Sequence, residues 1–251
     1  MFRGVKFGAV GALLFATAAM QAATVVPDST VLPVYLNAAL SSRKTKLGQL
    51  ITARVMQDVP LPGDAKIPAG ATLAGQVTAV QPASGSHGGS ISFRFDMLRL
   101  PHEHVRLIVH LRAIASTWEV RHAQLPLTID PTAAANSWTT VQIGGDVVYR
   151  GGGPVMNRSG VVGKPVENGV LVRLDSNPGR GCRGDGTGER AQALWLFSSD
   201  ACGTYDLQNV TIVRTDRTSA SAPTGEITLR SSKGDINVRT GAGLLLLVDA
   251  P

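Results

Sequence analysis

Two cysteines, Cys182 and Cys202, are all that 251 residues carry, and no CxxC pair is present. That removes the usual ligand spacing of structural zinc sites and of thioredoxin-like redox motifs. Aromatic residues make up only 5% of the chain, so a core has to be built from Val, Leu, Ile and Ala. Neither a base-stacking platform nor a tryptophan-lined sugar cleft is indicated. Trp118, Trp138 and Trp195 lie far apart, and each is expected to fill a core edge. There is no HExxH helix motif and no GxSxG elbow, the spacings that mark zinc proteases and serine hydrolases. No apolar run reaches the roughly 18 to 20 residues needed to span a bilayer. Charge of one sign is also thin. The formal net charge is +6, and basic residues such as Arg54, Arg94, Arg99, Arg150, Arg214 and Arg230 stand singly beside apolar positions. Such alternation reads as the solvated face of strands, and no nucleic-acid partner is expected. Only Ser42-Arg43-Lys44-Thr45-Lys46 is densely basic, and one exposed turn accounts for it.

What the chain does have begins at its first residue. Met1 to Lys6 carries Arg3 and Lys6 and no acid, Phe7 to Met20 is an uncharged run of about 14 residues, and Ala22 and Ala23 follow. A charged start, a short apolar middle and a small-residue exit are the marks of a secretory signal peptide. Residues 1–23 are therefore expected to direct export to the periplasm or the extracellular space, with no membrane span after cleavage. In an exported chain the simplest reading of two cysteines is a Cys182–Cys202 disulfide.

The rest reads as strand, turn, strand. Twenty-eight Gly and 14 Pro supply turns. Period-two alternation runs through Leu50–Val55, Ala71–Val80 and Ile91–Leu98, where Ile91, Phe93, Phe95 and Met97 share a face. Val31–Leu36 reads as an opening strand, with Pro33 suggesting a sheet edge. Residues 38–42 read as a single helical turn, and no convincing amphipathic helix follows. Val105–Ile114, Asp146–Arg150, Gly169–Leu174, Ala193–Phe197, Val210–Arg214, Glu226–Arg230, Asp235–Arg239 and a buried closing strand, Leu244–Val248, complete the pattern. The fold class is all-β: a barrel-like domain over residues 24–130, a small-residue connection near Pro131–Ser137, and a second, disulfide-stapled β domain over residues 131–251, sandwich or barrel.

Reactive groups do not gather in the sequence. His102-Glu103-His104 has the two-apart spacing of strand ligands and His110 follows, but Pro101 places the trio in a hairpin turn. Arg183-Gly184-Asp185 and Asp185-Gly186-Thr187-Gly188-Glu189 sit on a Gly-rich loop whose turn chemistry explains them, without the acid spacing of an EF-hand. No catalytic residue, metal ligand or cofactor site is assigned. The most specific segment carries no reactive group: Asp58-Val59-Pro60-Leu61-Pro62-Gly63 leads into Ile67-Pro68-Ala69-Gly70-Ala71-Thr72-Leu73-Ala74-Gly75. This is a doubled turn feeding a strand, with Pro68, Gly70 and Gly75 as its structural residues and Gly70 expected at positive φ.

Together with Leu40-Ser41-Ser42, Gly48 and Ile51-Thr52-Ala53, that segment resembles the TrbI-like barrel of conjugation and type IV secretion channels over about residues 31–100. It is similar also to exported acidobacterial proteins of unknown function, whose rear part the second half resembles. The resemblance implies a β-barrel at the envelope that works by assembling with partners, with no catalytic residue to carry over.

The function expected is a non-enzymatic cell-envelope protein, structural or binding, that meets an envelope protein or surface polymer. Two alternatives remain: a secreted hydrolase of cell-wall or extracellular polymers using acids such as Asp96, Asp146 or Asp185, and an accessory component of a secretion assembly. A hydrolase requires at least two convergent titratable side chains in a deep pocket.

Overall fold

The computed structural model describes residues 25–127, 139–178, 182, 185, 190–213 and 225–249. The expected signal peptide, the Pro131–Ser137 connection, Arg183-Gly184 and residues 186–189 lie outside them.

The all-β expectation holds. In chain order the strands are β1 (Val31–Leu36), β2 (Leu40–Ser41), β3 (Leu50–Val55), β4 (Val59–Pro60), β5 (Lys66–Ile67), β6 (Thr72–Gln81), β7 (Ser90–Arg99), β8 (His104–Arg106) and β9 (Ile108–Ala115). A six-residue helix, α1 (Thr117–His122), follows. Then come β10 (Thr139–Val141), β11 (Val147–Tyr149), β12 (Val155–Asn157), β13 (Gly160–Val166), β14 (Gly169–Arg173) and β15 (Ala191–Ala193). The last are β16 (Gly203–Tyr205), β17 (Val210–Val213), β18 (Ile227–Ser231), β19 (Asn237–Val238) and β20 (Gly243–Asp249).

One ten-stranded sheet dominates, in the order β16-β9-β20-β1-β3-β6-β7-β18-β17, with β8 beside β7. Strands β10 to β15 form a separate six-stranded meander. The large sheet curls until its two end strands approach, and the Thr204 hydroxyl donates to the Val210 carbonyl at 3.0 Å. No backbone ladder joins them among the described residues, so the sheet is open and the expected barrel is not closed. A division near residue 130 does not match the pairing either. Strands β16, β17, β18 and β20 all follow that point, yet lie in the same sheet as β1, β3, β6, β7 and β9.

The burial pattern explains why the closing strand is an unbroken apolar run. Leu244, Leu246 and Val248 of β20 pack into the core inside the curl, with Leu32, Val34, Phe93 and Phe95. Leu245 and Leu247 point the other way, into a second core shared with Val148, Val170, Val172 and Phe197 of the meander region. A strand buried on both faces cannot alternate with polar residues. Each fully buried Leu contributes about 1.5–3 kcal/mol relative to exposure.

Several local expectations shift. Strand β1 runs between β20 and β3, not at an edge. Pro33 is tolerated there because its ring nitrogen lies on the β3 side, where the ladder is already ending and the Pro33 carbonyl only accepts from Met56 N at 2.9 Å. Residues 40–41 form strand β2, not a helical turn, because they pair with β19. The strand expected over 193–197 ends at Ala193, where a turn takes over. Helix α1 was not expected, although Ser116 and Glu119 stand at capping-box spacing and the Ser116 hydroxyl accepts from Glu119 N at 3.2 Å.

Candidate functional site

The doubled turn singled out in the sequence is a structural clasp. Strands β4 and β5 pair, and the Asp58 carboxylate accepts from Lys66 Nζ at 2.5 Å and from Ala69 N at 2.8 Å. Those two partners hold its carboxyl below the usual carboxylate range. Gly70 has φ +85° with open space around it, as the turn requires. Gly75 serves a different need, because a Cβ there would collide with the Arg94 carbonyl of the neighbouring strand. Pro68 accepts the Ala71 N–H of the same turn at 3.1 Å.

The candidate chemical residues are dispersed. His102 is exposed in the β7–β8 turn, which the Leu100 N–H closes on the Glu103 carbonyl at 2.9 Å, and His104 is exposed at the start of β8. Asp96 is exposed beside Arg94, at 3.4 Å. Asp146 is buried, accepts from Ser199 N at 2.7 Å, and is pushed above the usual carboxylate range by burial. Asp185 instead faces His110. Those three acids therefore sit among different neighbours and do not form a pair.

His110 is the one histidine with a built environment. Its Nδ1 lies 3.0 Å from Asp249 of β20, and its Nε2 lies 3.5 Å from Asp185. The carboxylates flank opposite ring nitrogens, so the trio does not converge on a single point. Among the described residues no group of three His, Cys, Asp or Glu side chains is placed to hold a metal. Beside this trio lies Arg112, fully buried, donating to the carbonyls of Ala201 at 2.8 Å and Asp175 at 2.6 Å. Its Nη1 also lies 4.0 Å from the Asp185 carboxylate. The Cys182–Cys202 disulfide expected from the sequence is present, with Cα atoms 6.0 Å apart. The cluster thus pins the disulfide-closed segment to β9 and β20. In the sequence Arg112 stands between Leu111 and Ala113 like the other single basic residues, with nothing to mark it as buried.

Two open surface depressions lie elsewhere, on either side of Asn237. Strand β19 pairs with β2, which buries Val238 and leaves Asn237 exposed. On one side is a depression of about 290 Å³ edged by Ser41, Lys44 and Gln49. On the other is a second, also about 290 Å³, edged by Trp118, Asp206 and Arg239. Asn237 lines both.

Trp118 is 67% exposed, not packed into a core edge as expected. Its backbone is nevertheless fixed. The Ser116 hydroxyl that caps α1 donates to the Asp206 carboxylate at 2.6 Å, and Ser116 N donates to Tyr205 O at 3.0 Å. Thr117 Oγ1 donates to the Thr240 carbonyl at 3.0 Å, tying the helix start to the turn after β19. Asp206 sits in the left-handed region at φ +51°, which costs of order 1 kcal/mol and aims the residue at Ser116.

The other depression is braced by Asp235. This carboxylate accepts from Ala83 N at 2.9 Å and Ser42 Oγ at 3.0 Å, and pairs with Arg43 at 2.8 Å. Those contacts, led by the Ala83 N–H, hold it below the usual carboxylate range. The cations facing the depressions are uncommitted: among the described residues neither Lys44 nor Arg239 makes an ion pair.

No protein-family model matches the chain, and no curated protein matches it.

Proposed function

We propose that this chain is an exported, non-catalytic binding module of the cell envelope, and that it works through the face divided by Asn237. The observation that carries the reading is Trp118, an indole held out of the core by a braced helix start, beside an unpaired Arg239. Binding surfaces use such amphipathic rings and guanidinium groups as anchors. Export rests on the charged and then apolar leader of residues 1–23, and the disulfide is compatible with an oxidising compartment, periplasmic or extracellular. The resemblance of residues 31–100 to TrbI-like barrels supports a role among envelope partners.

Capture of the tagged full-length chain from chemically cross-linked envelopes tests the reading. The wild-type chain is expected to retain an envelope component that Trp118→Ala loses. Recovery of the chain alone, with breakdown of a wall polymer, would overturn it in favour of a hydrolase.

A further inference from the structure

We infer that the two depressions sharing Asn237 form a binding site for an acidic glycan, a chain of at least two consecutive sugar rings bearing carboxylates. The inference rests on the binding-module reading and names its ligand.

Aromatic residues are scarce here, and the core uses Phe93, Phe95 and Phe197 fully buried. Leaving Trp118 on the surface forgoes burial that such a core would use. The face of an indole is the negative pole of its quadrupole. It matches the C–H-bearing face of a pyranose ring, which is weakly positive and flat. Around the ring stand planar hydrogen-bonding groups: the Asp206 carboxylate, the Asn237 amide and the Arg239 guanidinium. Each can engage adjacent hydroxyls two at a time. Asp206 gives one lone pair to Ser116 and keeps others for a ligand.

Size and repetition point to a polymer. Each depression, at about 290 Å³, lies at the lower end of small-ligand sites. One sugar unit is close to that scale, and a chain of two would meet Asn237, which lines both depressions, between its units. Charge selects the class of glycan. Among the described residues Lys44 on one side and Arg239 on the other are without ion pairs, and these two cations outnumber Asp206, the one carboxylate of the two linings. A nucleic acid offers anions and rings too, but repeated base stacking needs a series of aromatic platforms. Among the described residues Trp118 is the only aromatic one lining either depression.

The test uses the purified exported chain on an array of acidic and neutral oligosaccharides, with single-stranded DNA as a control. Affinities are then measured by fluorescence titration. Acidic oligosaccharides are expected to bind at least tenfold more tightly than neutral ones of equal length, and less tightly as salt rises. Trp118→Ala and Arg239→Ala are each expected to weaken binding about tenfold, with Arg239→Lys and Trp118→Phe retaining part. Both positions are exposed, so the unfolding midpoints should be unchanged. Absence of binding to every acidic glycan, equal binding of neutral ones, tighter binding of DNA, or variants that bind like wild type would overturn the inference. If no glycan binds while Trp118→Ala still loses an envelope protein in the cross-linking capture, the inference falls and the binding-module reading stands. If neither is seen, both fall.

Discussion

The side chain of Gln57 pairs with Val170 as the peptide group of another strand would: Oε1 accepts from Val170 N at 3.1 Å, and Nε2 donates to Val170 O at 2.9 Å. The same Oε1 accepts from Trp195 N at 2.8 Å. A second glutamine works in the opposite direction, with Gln192 of β15 accepting from Val31 N of β1 at 3.2 Å. Two buried amides thus join the meander to the large sheet, where no backbone ladder does among the described residues. Gly169 permits the approach, since a Cβ there would press on the Gln57 amide at about 2.5 Å.

Replacing Gln57 by Ala leaves the Val170 N–H and C=O and the Trp195 N–H without their partner. Unpaired buried groups cost about 1–3 kcal/mol each, so a loss of about 3 kcal/mol or more is expected in urea unfolding. Gln192→Ala strands only the Val31 N–H and should cost about 1–2 kcal/mol.

Gly75→Ala and Gly70→Ala should separate cleanly. At Gly75 the added methyl meets backbone of the paired strand β7, and a loss of several kcal/mol or failure to fold is expected. At Gly70 the space is open and only the positive φ resists, for about 1 kcal/mol. Thermal unfolding of the two variants side by side is the check.

Reduction of Cys182–Cys202, or its replacement by two alanines, opens a loop of 20 residues. Loop entropy puts the cost at about 3 kcal/mol. Because Asp185 lies inside that loop and faces His110, proteolysis between 182 and 202 should also accelerate once the bridge is gone.

Two buried or braced acids should give opposite pH dependences. Asp235 is held below its unfolded value, so its contribution is present above about pH 3.9 and is lost as pH falls through the folded value. Asp146 is pushed up by burial, so its contribution is present below about pH 3.9 and is lost as pH rises through the folded value. Urea unfolding near pH 3 and pH 7 should show Asp235→Asn losing more stability at pH 7, and Asp146→Asn gaining relative stability there.

Strands were legible in the sequence wherever one face is solvated. Leu50–Val55 coincides with β3, and the alternation through Ala71–Val80 and Ile91–Leu98 lies within one residue of β6 and β7. Val105–Ile114 is not separable into β8 and β9 in the sequence, because Leu107 at the break continues the period-two apolar pattern of Val105 and Val109. Sheet order was not legible. Period-two patterning says which face is buried, not that β20 returns to lie between β1 and β9, so the halves read as separate domains. The candidate site was missed for a related reason. Residue type alone places a Trp such as Trp118 toward a core, and it is the packing of Ser116 on Asp206 and Thr117 on Thr240 that turns this indole outward.

Hydroxyl-radical footprinting of the purified chain, alone and with isolated envelopes, tests most directly whether the Asn237 face is the working surface. Trp118 should oxidise readily in the free chain and be protected together with residues 39–50 and 236–240 when envelopes are added. Oxidation of Trp118 at the same rate in both samples, or protection confined to the surroundings of His110, would contradict the account.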